Sequence, residues 1–212
     1  MKKIFIVVFI LFIIFLLSSL KKKGDDNAFK EKEIYSYIDT SNVYLAFKGT
    51  DTKPGEIAKK YNISNTKVSH VGILFYRNTN WEIVHVTNVK KNGNNLLFEG
   101  LSDYYNVNNN IDYISLFRIN NINKDIIYSN INSLKDTVIE FDNEFKLQNQ
   151  KYYCSEFVVE QIGIKNLKIQ KKYVSNIQHR LFIGRDTLDY YPVDIFYKHP
   201  NFTKIYEKDF SN

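Results

Sequence analysis

The stretch "SHVGILFYRNTNWEIVHVT", residues 69–87, decides the fold. Two runs rich in β-branched and aromatic residues, "HVGILFY" and "WEIVHVT", flank the polar segment "RNTN", the pattern of a β-hairpin with a four-residue loop. Such a loop pairs Tyr76 with Trp81. Counting back along both strands then sets Gly72 opposite His85 and His70 opposite Thr87. Side chains alternate across a strand, so His70 and His85 share a face as diagonal neighbours, roughly 7–8 Å apart at Cα. Gly72 leaves room for the His85 ring. A loop one residue longer or shorter would turn His85 to the other face.

Outward from the hairpin, "NVYLAFK" (42–48), "NNLLFEG", "DYISLFRI" and "FTKIYEK" read as further strands. "KPGEIAKKYN" offers a short helix after Pro54. Ile127, Ile131, Leu134 and Val138 recur at helical spacing between Lys124 and Glu140, and residues 153–162 suit a helix packed on a sheet. Hairpins without a βαβ rhythm predict an α+β fold, an antiparallel sheet packed against helices. The expected organisation is an N-terminal hydrophobic segment (1–23), a polar linker running into a first helix (24–36) and one globular domain (37–212).

The formal charge of +6 invites a nucleic-acid reading, but its distribution argues against one. Lys2, Lys3, Lys21, Lys22 and Lys23 flank a single apolar run; without residues 1–23, 24 basic residues of the 29 face 23 acidic ones, a balance of +1. No cationic face on the domain is required, so no nucleic-acid partner is expected. The apolar run, residues 4–20, reads as a membrane anchor in preference to a cleaved signal, because no small-x-small site follows it. The expected location is the cell envelope, membrane-anchored or exported. The single cysteine excludes an internal disulfide.

That cysteine lies in "KYYCSEFVVEQ", at the start of a helix, where unpaired N–H groups and the helix dipole favour a thiolate. A free cysteine is by itself more often an inert core residue. With two same-face strand histidines, however, Cys154 would supply a nucleophile, His70 a general base and His85 an orienting group. His179 and His199 read as loop residues. No metal-ligand motif accompanies the histidines, and neither metal nor cofactor is expected.

These segments resemble the circularly permuted papain-like amidases of the YiiX and YaeF type, a branch of the NlpC-type cysteine hydrolases. The resemblance rests on Ser69-His70-Val71-Gly72-Ile73, on Tyr153-Cys154-Ser155-Glu156-Phe157-Val158, on the aromatic-Asp-x-x-Phe element at Phe141, Asp142 and Phe145, and on "YYPVDIF" (190–196). It implies a circularly permuted papain-like fold with Cys154 as nucleophile and His70 as base. The third residue of that family is often glutamate in an apolar-Glu-Ala context; here His85 stands at the matching position, with Glu99 in reserve. Tyr153, with Tyr44, is a candidate for lining the substrate site, and Ser155 and Glu156 for satisfying N–H groups at the helix start or nearby loops.

The implied activity is hydrolysis of an amide bond in a small peptide, amino-acid amide or cell-wall fragment through a Cys154 acyl-enzyme. Relatives that act on lipid acyl chains make a lipid hydrolase or acyltransferase the alternative; a non-catalytic, membrane-tethered peptide-binding module is the other. An apolar pocket would favour the lipid; one with cationic or amide groups placed for a free carboxylate would favour a peptide. Oligomeric state is not readable from the sequence.

Overall fold

A computed structural model describes residues 31–106, 110–164, 166–174, 180 and 184–211. Six strands form one sheet in the order β4-β3-β2-β1-β5-β8, each pair antiparallel: β1 (Tyr44–Thr50), β2 (His70–Arg77), β3 (Asn80–Lys91), β4 (Asn94–Glu99), β5 (Ile111–Ile119) and β8 (Phe202–Asp209). A separate hairpin joins β6 (Gln170–Tyr173) to β7 (Thr187–Tyr190). The helices are α1 (Glu31–Tyr35), α2 (Lys53–Lys59), α3 (Leu101–Tyr104), α4 (Lys124–Ser133) and α5 (Cys154–Ile162). The α+β expectation therefore holds. The N-terminal segment expected to anchor the chain lies outside the described residues, as does His179. Among the described residues no helix is long and apolar enough to cross a membrane.

The sheet carries a core on each face. On one, α5 brings Cys154, Phe157, Val158 and Ile162 against Val71, Ile73, Phe75, Val84 and Val86. Each such side chain, fully buried, contributes about 1.5–3 kcal/mol. Gly163 ends α5 in the left-handed conformation (φ 66°), a position that favours glycine. On the other face, Tyr44, Ala46, Leu74 and Ile83 pack against Leu101, Tyr104 and Tyr105.

Two expectations need correction. The β2–β3 loop has two residues rather than four: the ladder runs on to Arg77↔Asn80, and Asn78 and Thr79 turn with φ of 49° and 68°. The register survives because the extra pair adds one residue to each strand, and Tyr76 still faces Trp81. The second correction concerns α4, which stops at Ser133, leaving Val138 71% exposed. Beyond it the chain is captured by β4: Asn94 accepts from the Ile139 N–H at 3.0 Å and donates to the Thr137 carbonyl at 2.9 Å.

Candidate active site

His70 opens β2 and His85 lies in β3, on the face that carries α3. A Cβ on Gly72 would come within 3.0 Å of the His85 Cβ, so the absent side chain makes the space the ring occupies. The two imidazoles meet nearly edge to face, with His70 Nε2 2.8 Å from His85 Nδ1. The other His85 nitrogen, Nε2, lies 3.0 Å from Glu99 Oε2. In the β3–β4 ladder Leu97 stands opposite His85 and Glu99 opposite Ile83, so Glu99 is the diagonal neighbour of His85. The reserve residue is thus bonded directly to His85 and extends the row instead of replacing a member.

The direction of these bonds follows from the chemistry of the end member. Hydrogen bonding to His85 holds the Glu99 carboxyl below its usual range, so it is ionised and only accepts. His85 must therefore donate from Nε2 and accept at Nδ1. His70 then donates from Nε2, and its Nδ1 keeps a lone pair. Burial pushes His70 well below 6.5, assisted by the nearby His85 and Lys48, and it lowers His85 as well, against the pull of Glu99. Both rings are neutral at pH 7, and His70 presents a base.

Cys154 is the first residue of α5. The N-cap, Tyr153, makes no side-chain capping bond, and the thiol is approached by the backbone N–H groups of Val71, Ser155 and Cys154 itself. These pull its pKa down, but burial outweighs them and pushes it up to about 11. The thiolate expected from the helix start is thus not the resting state; desolvation opposes the charge more than three N–H groups support it. Cys154, His70 and His85 line one cleft of about 470 Å³.

Sequence reasoning missed Lys48, which also lines the cleft. It pairs with His70 across β1 and β2, and its Nζ donates to the Tyr104 carbonyl at 2.9 Å while lying 3.9 Å over the Tyr104 ring. Burial lowers its ammonium to about 8, with Glu99 and Cys154 pulling the other way. Its alternation with the buried Tyr44 and Ala46 in "YLAFK" was the available signal.

Of the proposed lining tyrosines, Tyr153 stands in the cleft and receives the Tyr191 N–H on its hydroxyl at 2.7 Å. Tyr44 does not line it: its ring packs edge-on to Trp81, and its hydroxyl accepts from the Asp39 N–H at 2.8 Å. Ser155 donates to the Tyr191 carbonyl at 2.6 Å, and Glu156 accepts from the N–H groups of Gln148 and Tyr153. The remaining motif residues build walls. Asp142 accepts from the N–H groups of Glu144 (2.9 Å) and Lys146 (2.5 Å), forming the turn from which Phe141 and Phe145 reach the cleft. Asp194, also buried, accepts from the N–H groups of Ile63 (3.0 Å), Ser64 (2.5 Å) and Asn65 (2.7 Å), clasping the segment after α2 to the one after β7. His199 lies in the segment before β8, away from the cleft.

Together, fold and site describe an α+β domain with a thiol and an acceptor imidazole at the end of an antiparallel sheet. A solved structure with this fold is the crystal structure of the metalloprotein YiiX from Escherichia coli O157:H7, which superposes with a TM-score of 0.56 at 13% identity over 79% of this chain and 97% of YiiX. No protein-family model and no curated protein sequence matches the chain.

Proposed function

We propose that the protein is a cysteine hydrolase that forms an acyl-enzyme on Cys154. The observation that carries this reading is the hydrogen-bonded row Glu99–His85–His70, which leaves the acceptor nitrogen on the ring that shares a cleft with the thiol. As a substrate carbonyl arrives, His70 Nδ1 takes the thiol proton and the sulfur bonds to the carbonyl carbon. The oxyanion is held by the Cys154 N–H in the first turn of α5. Imidazolium at His70 returns the proton to the leaving group, the tetrahedral adduct collapses to a thioester, and water releases the acid. Glu99 fixes the tautomer of both rings and offsets the charge that forms on His70.

For the acyl group the cleft favours an apolar one. Its apolar walls are Ile57, Phe141, Phe145, Leu188, Tyr190 and Val193, beside the polar Lys48, Asn88 and Asn143, and among the described residues no carboxylate lines it. This supports a lipid or other apolar acyl amide or ester over a polar peptide or cell-wall fragment, and suits a domain tethered by residues 4–20. YiiX is a metalloprotein, but the residues here do not fit a metal. Both His85 nitrogens are engaged, by His70 and by Glu99, and among the described residues no three His, Cys, Asp or Glu side chains converge.

The test is to incubate the full chain with p-nitrophenyl octanoate and an octanoyl anilide, and to look for an acyl adduct on Cys154 by mass spectrometry. Cys154→Ala should lose the adduct and at least about 10³-fold of turnover, and His70→Ala a comparable factor, with both variants folded. Undiminished hydrolysis by Cys154→Ala would end the reading; so would binding without turnover of every acyl substrate by the wild type, which is the behaviour of a binding module.

A further inference from the structure

We propose that Lys48 is an anion-binding residue, and that the cleft takes acyl compounds that carry a carboxylate or phosphate beside an apolar chain. The proposal rests on the reading of Cys154 as an acyl-transfer nucleophile and adds the chemical class of what it acts on. Two observations carry it. Lys48 sits at the cleft end of β1, paired with His70 across the ladder, so its ammonium adjoins the reacting groups. Among the described residues its hydrogen bond goes to the Tyr104 carbonyl alone. An ammonium has three donors, so two remain for a guest, in a setting where a charge-assisted bond is strengthened by desolvation.

Among the described residues no carboxylate lines the cleft; Glu99, which also attracts the Lys48 ammonium, is hydrogen-bonded to His85 and makes no hydrogen bond to Lys48 there. The two histidines are neutral, so Lys48 is the cation beside the thiol. Lys53, the other lysine in the lining, belongs to the first turn of α2. The aromatic and aliphatic walls then accept the chain. An amphiphile with its charged end at Lys48 would set its apolar part along Phe145, Leu188 and Tyr190.

Binding to Cys154→Ala separates this inference from the catalytic reading, because it needs no reactive thiol. Octanoate, octyl phosphate and octanamide are titrated calorimetrically into the full-length Cys154→Ala protein at pH 7. The expected result is a preference of about 10- to 100-fold for the anions over the amide. Lys48→Met added to this background should erase the preference, weakening the two anions far more than octanamide, while Lys48→Arg keeps it. Preference for one anion alone assigns the source as carboxylate or phosphate. Equal affinity for all three, or a preference that survives Lys48→Met, overturns the proposal, even if the wild type forms its acyl adduct. Should Lys48→Met fail to fold, a pH series on Cys154→Ala decides. Between pH 7 and 9.5 the preference should fall as Lys48 loses its proton. Over that range His70 and His85 are already neutral, Glu99 is ionised, and Tyr104 is held protonated by burial. A preference constant across the series overturns the assignment.

Discussion

Replacing Gly72 by alanine tests the geometry of the histidine pair without touching a polar group. The new methyl carbon would stand 2.7 Å from Ile83 Cγ2, 3.0 Å from His85 Cβ and 3.0 Å from the Val84 carbonyl oxygen. A rotamer change of Ile83 could relieve the first contact, but the other two involve the backbone and the root of the His85 side chain. β3 cannot retreat freely, since β4 holds its far edge. Overpacking of this kind costs about 1–3 kcal/mol. In a domain of this size each kcal/mol moves Tm by about 2–4 °C, so Gly72→Ala should melt about 2–12 °C lower. The strands part where His70 Nε2 and His85 Nδ1 lie 2.8 Å apart, so hydrolysis should fall along with stability. Circular dichroism melts and ester turnover measure both. Gly100→Ala is the control: among the described residues nothing beyond its chain neighbours lies within 4 Å of its added carbon, and as the N-cap of α3 it should cost no more than about 1 kcal/mol. If Gly72→Ala melts and turns over like the wild type, the reasoning from this close approach is wrong.

Other outcomes follow from the titrating groups. With the thiol pushed up to about 11, alkylation of Cys154 by iodoacetamide should climb about tenfold per pH unit from pH 7 to 9; a plateau below pH 8 would show a preformed thiolate instead. Glu156 is raised by burial from 4.5 to about 7, and among the described residues its Oε2 has no hydrogen-bond partner. Its protonated form belongs to the folded state, so the stability it provides is complete below pH 4.5 and lost as pH rises through 7. Glu156→Gln should therefore raise Tm at pH 8 and leave it unchanged at pH 4.5. Equal effects at both pH values would refute this. His70 and His85 act in the opposite sense: their pKa values are lowered, so their share of stability is present above pH 6.5 and drains away as pH falls below it. In a Glu156→Gln background that loss should be visible in urea midpoints between pH 6.5 and 5, and His70→Gln should flatten it.

Runs of β-branched and aromatic residues made the central sheet legible, because β2 and β3 are buried on both faces and so are apolar almost throughout. The shared face of His70 and His85 followed from counting back along both strands. The turn itself was obscured by Thr79, a β-branched residue in a conformation such residues rarely adopt. Helical spacing at Leu134 and Val138 lost to hydrogen bonds from Asn94, a partner that no local pattern reveals. Glu99 was underrated because its link to His85 depends on the β3–β4 register, which shifts between Val86 and Lys91. Lys48 was missed since a lysine at a strand end is ordinarily solvated, and Tyr44 was misplaced because it shares the face of Lys48 but lies four residues back along β1, opposite Leu74 instead of His70. The polar run "QKKY" gave no sign that β6 would pair with β7.

The clasp made by Asp194 has a consequence for how such a protein diversifies. His70, His85, Glu99 and Lys48 belong to the six-stranded sheet, whereas Phe141, Phe145, Leu188 and Tyr190 come from chain outside it. The histidine row and most of the apolar wall therefore sit on separate stretches of sequence, with Cys154 on α5 between the wall residues, and the Asp194 carboxylate is one of the links that hold the wall segments in place. Residues at the walls can change size while the strand register that aligns the two imidazoles stays intact. Selectivity can drift without the reactive centre being rebuilt, provided Asp194 keeps the two lips together.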